Sequence, residues 1–302
     1  MHENIEIVDV GPRDGLQSQP QLVDTQTKIS LIKRLIAAGI RRLEAVSFVN
    51  PKRVPQMADA DAVIEQLPRH EDVSYIGLVL NEKGLERALD TDIDQLNCVM
   101  VTTDTFCQRN QGKNASDMLE AIAAMALTAQ RSRRFFGVTV AATFGCPFEG
   151  EVAVDTVVNI VQRLAAMGID EISLADSIGV AVPSDVTRVV MAVREVSGAI
   201  PLRLHFHNTR NTGIANVYAA VEAGVRIFDA SCGGVGGCPF APGATGNVGT
   251  EDVLYLLHRL GYATGIDIEE VIATAKWLEQ PLQTSMPAML THAGVFPHRP
   301  AA

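Results

Sequence analysis

The sequence lacks an apolar run close to the ~20 residues that a membrane-spanning helix needs, and no basic, apolar leader precedes Ile5. Positive charge is scarce too: 25 lysines and arginines against 35 acidic residues give a net charge of -10. This balance argues against nucleic acid or an anionic membrane surface as the main partner. We therefore expect a cytoplasmic protein without a membrane or nucleic-acid partner.

Cysteine is also rare and irregularly spaced. Five cysteines, an odd number without a signal peptide, predict free thiols in a reducing compartment rather than a disulfide framework. No linker rich in proline or serine divides the chain, and its 47% hydrophobic and 20% charged content is ordinary for a globular protein. One large domain with a small appendage is therefore expected.

A short strand-like run, an amphipathic helical run and a glycine recur along the chain. The strands are predicted at 5–11, 41–48, 74–80, 95–103, 135–143, 171–179, 202–207 and 226–234. The helices are predicted at 28–39, 58–66, 82–89, 116–130, 157–168, 184–196, 214–224 and 250–260. Eight units in about 260 residues favour a closed, parallel (β/α)8 TIM barrel over a doubly wound sheet. Residues 1–265 should form this catalytic barrel, and residues 266–302 a helical extension packed on it.

Polar side chains occur where the predicted strands end. In a barrel of this kind, catalytic side chains lie at the C-terminal ends of strands, in the loops that lead to the following helices. The residues at these ends are Arg13, Asp14, Gln17, Glu44, Ser47, Ser173, Asp176, His205 and His207. The eighth strand leads into a loop, 229–252, that contains seven glycines, together with Cys238 and Asn247. A loop of this length is usually functional, and this one could supply a proton donor and an oxygen ligand for a metal.

The His-x-His pair of the seventh strand is the strongest signal for a metal site. Residues i and i+2 of a strand point to the same face, so His205 and His207 should project side by side into the barrel mouth. Asp14 could add the carboxylate oxygen that Mg²⁺ or Mn²⁺ prefers. The alternative is a metal-free pair of buried histidines, each with its own hydrogen bond.

Several stretches resemble hydroxymethylglutaryl-CoA lyase, a branch of the metal-dependent barrel lyases and carboligases. They are DVGPRDGLQ (9–17), LEAVSFVNPKRVPQMAD (43–59), EISLADSIG (171–179), LHFHNT (204–209) and GGVGGCPFAPGATGNVGTED (233–252). The resemblance runs in order from about residue 5 to 262. Its Gly-Gly-Cys-Pro-Phe loop is specific, since the related isopropylmalate and homocitrate synthases lack it.

The resemblance implies cleavage of 3-hydroxy-3-methylglutaryl-CoA to acetyl-CoA and acetoacetate by a retro-Claisen reaction. It implies an Mg²⁺ or Mn²⁺ ion as cofactor, with four ligands: Asp14, His205, His207 and Asn247. It also implies an acyl-CoA substrate, a homodimer, since family members are often dimers, and a role in leucine degradation or another acyl-CoA pathway.

Catalytic roles follow from the same resemblance. Arg13 would stabilise the enolate oxygen, Cys238 would protonate the enolate carbon, and Glu44 would orient Arg13 or a metal ligand. Asp176 is the preferred base, with a metal-bound water as the other candidate. The structural alternatives are an Arg13–Asp14 ion pair at the rim and a capping role for Asp176.

Substrate contacts are marked less clearly. Gln17, Ser47 and Ser173 could contact the acyl group. For the CoA phosphates, the loop 102–117 offers Arg109 and Lys113, although this could equally be a solvated polar loop.

Two departures from the family pattern bear on specificity. Asn208 stands where the family has an aspartate after His-x-His, and Gly137-Val138-Thr139 stands where it has Arg-Gly-Tyr. The alternatives are therefore a lyase for a related 3-hydroxyacyl-CoA such as citramalyl-CoA, a Claisen-type carboligase, or a non-catalytic binding protein on the same scaffold.

Overall fold

A closed, eight-stranded parallel barrel organises the chain. The computed structural model describes residues 3–237 and 246–297. The strands pair in chain order and the eighth closes on the first. They are β1 Glu6–Asp9, β2 Arg42–Ser47, β3 Ser74–Val79, β4 Gln95–Val101, β5 Phe135–Ala141, β6 Glu171–Asp176, β7 Leu202–Phe206 and β8 Ile227–Ala230. The predicted (β/α)8 barrel is confirmed.

Helices surround the barrel on its outer side. They are α1 Thr25–Ala37, α2 Ala60–Gln66, α3 Glu82–Leu89, α4 Asp104–Gln111, α5 Ala115–Arg131, α6 Val154–Ala166, α7 Pro183–Ser197, α8 Gly213–Glu222, α9 Thr250–Arg259, α10 Ile268–Leu282 and α11 Met289–Ala293. The core lies between helices and barrel, where the apolar stripes of the helices meet the outward side chains of the strands. Within the described ranges, no helix has the length and apolar character to cross a membrane.

The first strand is shorter than predicted. It ends at Asp9, and residues Gly11–Gly15 form one tight π-helical turn. The backbone N–H of Gly15 donates to the carbonyl of Val10, which closes this turn at the strand end. The turn places Arg13 and Asp14 at the C-terminal mouth of the barrel.

The stretch after β4 was predicted as a loop, 102–117, and that prediction is wrong because it contains helix α4. Asp104 accepts from the N–H of Ala115 at the start of α5, and Glu149 accepts from the N–H of Thr105 at the start of α4. Side chains therefore provide acceptors for backbone N–H groups at the starts of both helices. Gly112 ends α4 in the left-handed conformation, with φ of 72°. The low apolar content of α4 explains why hydrophobic periodicity did not reveal it.

Residues of α9 and of the C-terminal segment hydrogen-bond to the first residues of the glycine-rich loop. The fully buried Glu251 accepts from the N–H of Gly233 at 3.0 Å and from the hydroxyl of Thr291 at 2.6 Å. The N–H of Ala288 donates to the carbonyl of Gly233. The C-terminal residues therefore hold the chain where it leaves β8, close to the barrel mouth.

Glu251→Gln is expected to remove a pH dependence of stability. Burial raises the pKa of Glu251 to about 7, although its hydrogen bonds lower it. The folded protein thus keeps a proton that the unfolded chain releases near pH 4.5, so this stabilisation is complete at low pH and is lost as the pH rises through about 7. A neutral amide can accept from Gly233 and donate to Thr291 at every pH.

Urea unfolding should therefore give similar stabilities for wild type and Glu251→Gln at about pH 5. At about pH 8 the variant should be more stable by about 1–3 kcal/mol. Parallel pH profiles for the two proteins would contradict this prediction.

Candidate functional site

A cavity of about 700 Å³ opens at the C-terminal end of the barrel. Most predicted site residues line it: Arg13, Asp14, Gln17, Glu44, Arg109, Lys113, His205 and His207. They come from the turn after β1, from β2, from the region of α4 and from the end of β7. The cavity therefore unites six of the nine residues that the sequence placed at strand ends with the two predicted CoA contacts.

Three of these side chains form a candidate metal site. The ligand atoms of Asp14, His205 and His207 all lie within 4.8 Å of one another. The strand alternation of β7 places both imidazoles on the inner side, as predicted. The two rings lie with their centroids 5.1 Å apart. One carboxylate and two imidazoles in this arrangement could hold a divalent cation.

The charge states of these residues suit a cation. Burial raises the pKa of Asp14, but Arg13 and the two histidines outweigh it and lower this pKa to about 2. Burial, together with His205, lowers the pKa of His207 to about 4. Asp14 is therefore charged and His207 neutral at neutral pH, which are the forms in which they bind metals.

Asn247, the predicted fourth ligand, lies beside this site. Its amide nitrogen donates to Asp14 Oδ2 at 2.9 Å and to the carbonyl of Val235 at 3.1 Å. Its Oδ1 is buried, with no hydrogen-bond partner among the described residues. Gly236 allows this approach, because a Cβ there would lie 2.5 Å from the amide nitrogen. A buried amide oxygen without a partner fits a metal ligand, so these residues suit the ion that the family implies.

Arg13 lies between two carboxylates. Its Nη1 donates to Asp14 Oδ1 at 2.8 Å, its Nε donates to Glu44 Oε2 at 2.8 Å, and its Nη2 contacts the same Glu44 oxygen. Burial raises the pKa of Glu44 even though Arg13 lowers it. The guanidinium therefore has a fixed orientation, next to the candidate metal site and on the cavity wall.

Asp176 does not line the cavity, whereas its neighbours Ala175 and Ser177 do. Its two carboxylate oxygens accept from the N–H groups of Val180 and Ala181, at 2.9 and 3.0 Å. These contacts hold the turn between β6 and α7 rather than the first turn of α7, which begins at Pro183. Both roles that the sequence left open for Asp176, base and cap, stay predictions.

Ser47 and Ser173 are fully buried and are not among the residues that line the cavity. The hydroxyl oxygen of each has no hydrogen-bond partner within the described part of the chain. Ser173 pairs in register with Thr139, a cavity residue, so it lies on the inner side of the barrel. Contact of either serine with an acyl group stays a prediction.

The predicted CoA contacts, Arg109 and Lys113, also line the cavity. The Arg109 guanidinium stacks over the Phe148 ring at 4.1 Å from its centroid, and Lys113 lies just beyond α4. Cys238, the predicted proton donor, lies outside the described residues. The preceding residue, Gly237, lines the cavity.

The two departures from the family pattern, Asn208 and the Gly137-Val138-Thr139 stretch, lie in different parts of the structure. The Asn208 side chain accepts from the N–H of Gly213 at the start of α8. On β5, Thr139 accepts from the amide of Asn97 at 3.0 Å, and a Cβ on Gly137 would lie 3.3 Å from the Asn97 oxygen. Asn97 and Thr139 both line the cavity, so the change on β5 alters its wall.

Sequence reasoning missed an ion chain below the site. Arg42 donates twice to Glu171, at 2.7 and 2.9 Å, and Arg203 Nε lies 3.0 Å from the same carboxylate. Arg203 also donates to Asp229 at 3.0 Å, and Asp229 Oδ2 lies 3.1 Å from His205 Nδ1. The signal that could have revealed it is the presence of charged residues, such as Arg42, Glu171 and Arg203, within strands that are otherwise mostly apolar.

The fold and the site together define a (β/α)8 barrel protein with a candidate metal centre at the catalytic end of its barrel. The chain matches the family model described as HMGL-like over residues 4–278. It therefore belongs to the HMGL-like family.

Known relatives cover nearly the whole chain. It is 40% identical to the (R)-citramalyl-CoA lyase of Chloroflexus aurantiacus, over 98% of this chain and 96% of that protein. It is 37% identical to a hydroxymethylglutaryl-CoA lyase of Bacillus subtilis, over 95% and 96%. An HMG-CoA lyase from Acinetobacter baumannii, solved in complex with coenzyme A and 3-methylmalate, matches with a TM-score of 0.94 and 39% identity, over 99% and 98%. The resemblance stated from the sequence, and with it a carbon–carbon lyase, is confirmed.

Proposed function

We propose that the protein cleaves 3-hydroxy-3-methylglutaryl-CoA to acetyl-CoA and acetoacetate with the help of a divalent cation, Mg²⁺ or Mn²⁺. The observation that carries this proposal is the convergence of Asp14, His205 and His207 within 4.8 Å at the cavity. Relatives named as hydroxymethylglutaryl-CoA lyases over nearly full length support it.

Asp14, His205, His207 and Asn247 would hold the ion. When bound, such an ion lowers the pKa of a hydroxyl group on the substrate and orients it. Asn247 supports this role because its amide nitrogen lies 2.9 Å from Asp14 and its buried oxygen has no hydrogen-bond partner among the described residues.

Arg13 would bind the oxygen that gains negative charge. In a retro-Claisen cleavage the electrons of the broken C2–C3 bond move to the thioester carbonyl and give an enolate. The Arg13 guanidinium is oriented before reaction by Glu44 and Asp14, so little reorganisation is needed when charge develops. Glu44 thus acts by positioning Arg13.

Two proton transfers complete the reaction. The tertiary hydroxyl must lose a proton, and the assignment of Asp176 as base stays a prediction. Because both oxygens of Asp176 are bonded to backbone N–H groups, the geometry favours a water molecule in the cavity as the acceptor. Cys238 would then protonate the enolate carbon, a role that follows from the resemblance.

Acyl-CoA binding would use the same cavity. Arg109 and Lys113 are its predicted phosphate contacts, and the stacking of Arg109 on Phe148 limits its orientations. A relative solved with coenzyme A supports an acyl-CoA substrate. A homodimer and a role in leucine degradation remain parts of the proposal. The four described cysteines, all buried and free, are consistent with a cytoplasmic location.

Citramalyl-CoA is the second candidate substrate, and one observation favours it. On β5, Gly137 and Thr139 replace larger family residues, and Asn97 packs into that space against Thr139. This polar wall is a point at which the cavity departs from the family pattern. The relative named (R)-citramalyl-CoA lyase supports the same alternative.

Paired cleavage assays would test both proposals. We expect cleavage of 3-hydroxy-3-methylglutaryl-CoA with added Mg²⁺ or Mn²⁺, read as acetoacetate and acetyl-CoA, and its loss after chelation. Citramalyl-CoA, read as pyruvate, should be cleaved more slowly. A higher kcat/KM for citramalyl-CoA would transfer the proposal to that substrate. No cleavage of either by folded, metal-loaded protein would contradict both.

A further inference from the structure

We propose that Asp229 is a positioning residue for the candidate metal site. It fixes the tautomer and the ring orientation of His205, so that Nε2 is the nitrogen presented to the cation, and Arg203 in turn fixes Asp229. This inference rests on the metal site of the proposed function. It adds a residue of β8 that acts through His205, by deciding how this ligand faces the ion.

The hydrogen bond between Asp229 and His205 determines which nitrogen carries the proton. Asp229 Oδ2 lies 3.1 Å from His205 Nδ1. An ionised carboxylate can only accept a hydrogen bond, so in the neutral ring Nδ1 carries the proton and Nε2 has the free lone pair. The other carboxylate oxygen of Asp229 accepts from Arg203 Nη1 at 3.0 Å, and this buried ion pair is the geometry of an ionised carboxylate.

Arg203 limits how Asp229 can move. Its Nη1 donates to Asp229 Oδ1 at 3.0 Å, so the two carboxylate oxygens have separate partners, Arg203 and His205. Arg203 is 2% exposed and lies 3.0 Å from Glu171 on its other side. Glu171 accepts two hydrogen bonds from Arg42. This buried chain, Arg42–Glu171–Arg203–Asp229, alternates in charge and joins β2, β6, β7 and β8.

The two histidines of the site differ in this respect. His207 Nδ1 is buried, with no hydrogen-bond partner in the ranges that the structure describes. Of the two histidines, only His205 therefore has its Nδ1 hydrogen-bonded to a carboxylate within the described residues. Groups that orient a metal-binding imidazole in this way typically account for about 10–100-fold in metal affinity.

Asp229→Asn is a sharp test because its outcome can be derived. Arg203 can only donate, so the oxygen of the new amide must turn towards Arg203, and its nitrogen then faces His205. That nitrogen donates to Nδ1, which places the His205 proton on Nε2, the nitrogen needed by the cation. The variant should therefore reverse the tautomer while side-chain volume stays nearly constant.

The tautomer can be read without substrate or metal. Metal-free protein labelled with 15N-histidine would be studied by long-range 1H–15N NMR at about pH 9, where free imidazoles are neutral. His205→Gln would identify the signal. We expect the Nδ1–H tautomer in wild type and the Nε2–H tautomer in Asp229→Asn.

Mn²⁺ titration followed by EPR should show about 10–100-fold weaker binding in the variant. Asp170→Asn, a carboxyl changed to an amide at the opposite end of the barrel, should bind Mn²⁺ as the wild type does.

Each outcome is decisive. An Nε2–H tautomer of His205 in wild type, or unchanged Mn²⁺ affinity in Asp229→Asn, would overturn the inference and leave the proposed function standing. A wild-type protein that binds no Mn²⁺ would overturn the proposed metal site and the inference together. If Asp229→Asn does not fold, the wild-type spectrum alone decides, with the Nδ1–H form in support and the Nε2–H form against.

Discussion

His207→Ala is expected to lose about 1,000-fold or more in kcat/KM for acyl-CoA cleavage, together with tight Mn²⁺ binding. His207 is buried in the candidate metal site, and its lowered pKa of about 4 leaves it neutral and ready to bind a cation. Its loss removes one of four predicted ligands. Metal ions contribute several kcal/mol to reactions of this kind, and 1.36 kcal/mol corresponds to tenfold in rate.

A matched control is available on α9. His258 is exposed and hydrogen-bonded to Thr264, away from the cavity. His258→Ala should keep both activity and Mn²⁺ binding. Mn²⁺ titration followed by EPR and steady-state kinetics on the three proteins would make the comparison. Wild-type Mn²⁺ affinity in His207→Ala, or full activity of chelated wild-type protein, would contradict the proposed metal site.

The sequence was sufficient to predict the barrel and the centre of the site. Strand and helix periods differ, so eight alternating units could be recognised, and the period of two placed His205 and His207 on one face. The barrel geometry then brought Asp14, from the other end of the chain, to the same place. These predictions needed only local patterns and one rule about where strands end.

What the sequence could not predict depends on register and on distant partners. Strand β6 is buried on both faces, so its pattern does not reveal that Ala175 faces the cavity and Asp176 does not. Arg42 and Glu171 lie 129 positions apart, and no local spacing predicts their pairing. Only the closure of the barrel brings such charges together in its interior. Asp229, which the sequence showed only as the start of a glycine-rich loop, gains its importance from those partners.

Arg13→Gln should separate the contribution of the guanidinium to catalysis from its contribution to stability. We expect kcat to fall about 100–1,000-fold, the effect of losing one donor to a developing oxyanion. The variant should also lose about 3–5 kcal/mol of stability, because it leaves the buried Glu44 without its cation. Steady-state kinetics and urea unfolding would measure the two losses.

The double variant Arg13→Gln/Glu44→Gln provides the control. Two neutral amides can hydrogen-bond to each other, so the part of the lost stability that comes from the buried, unpaired Glu44 should return. Asp14 loses Arg13 in both variants, so its contribution to the loss should remain. Activity should stay low, since no positive charge remains to stabilise the enolate oxygen. If kcat recovered together with stability, Arg13 would be a structural ion-pair partner and not the group that stabilises the enolate. If stability alone recovered, the ion pair would serve to hold a catalytic arginine in a fixed orientation beside the metal ligands.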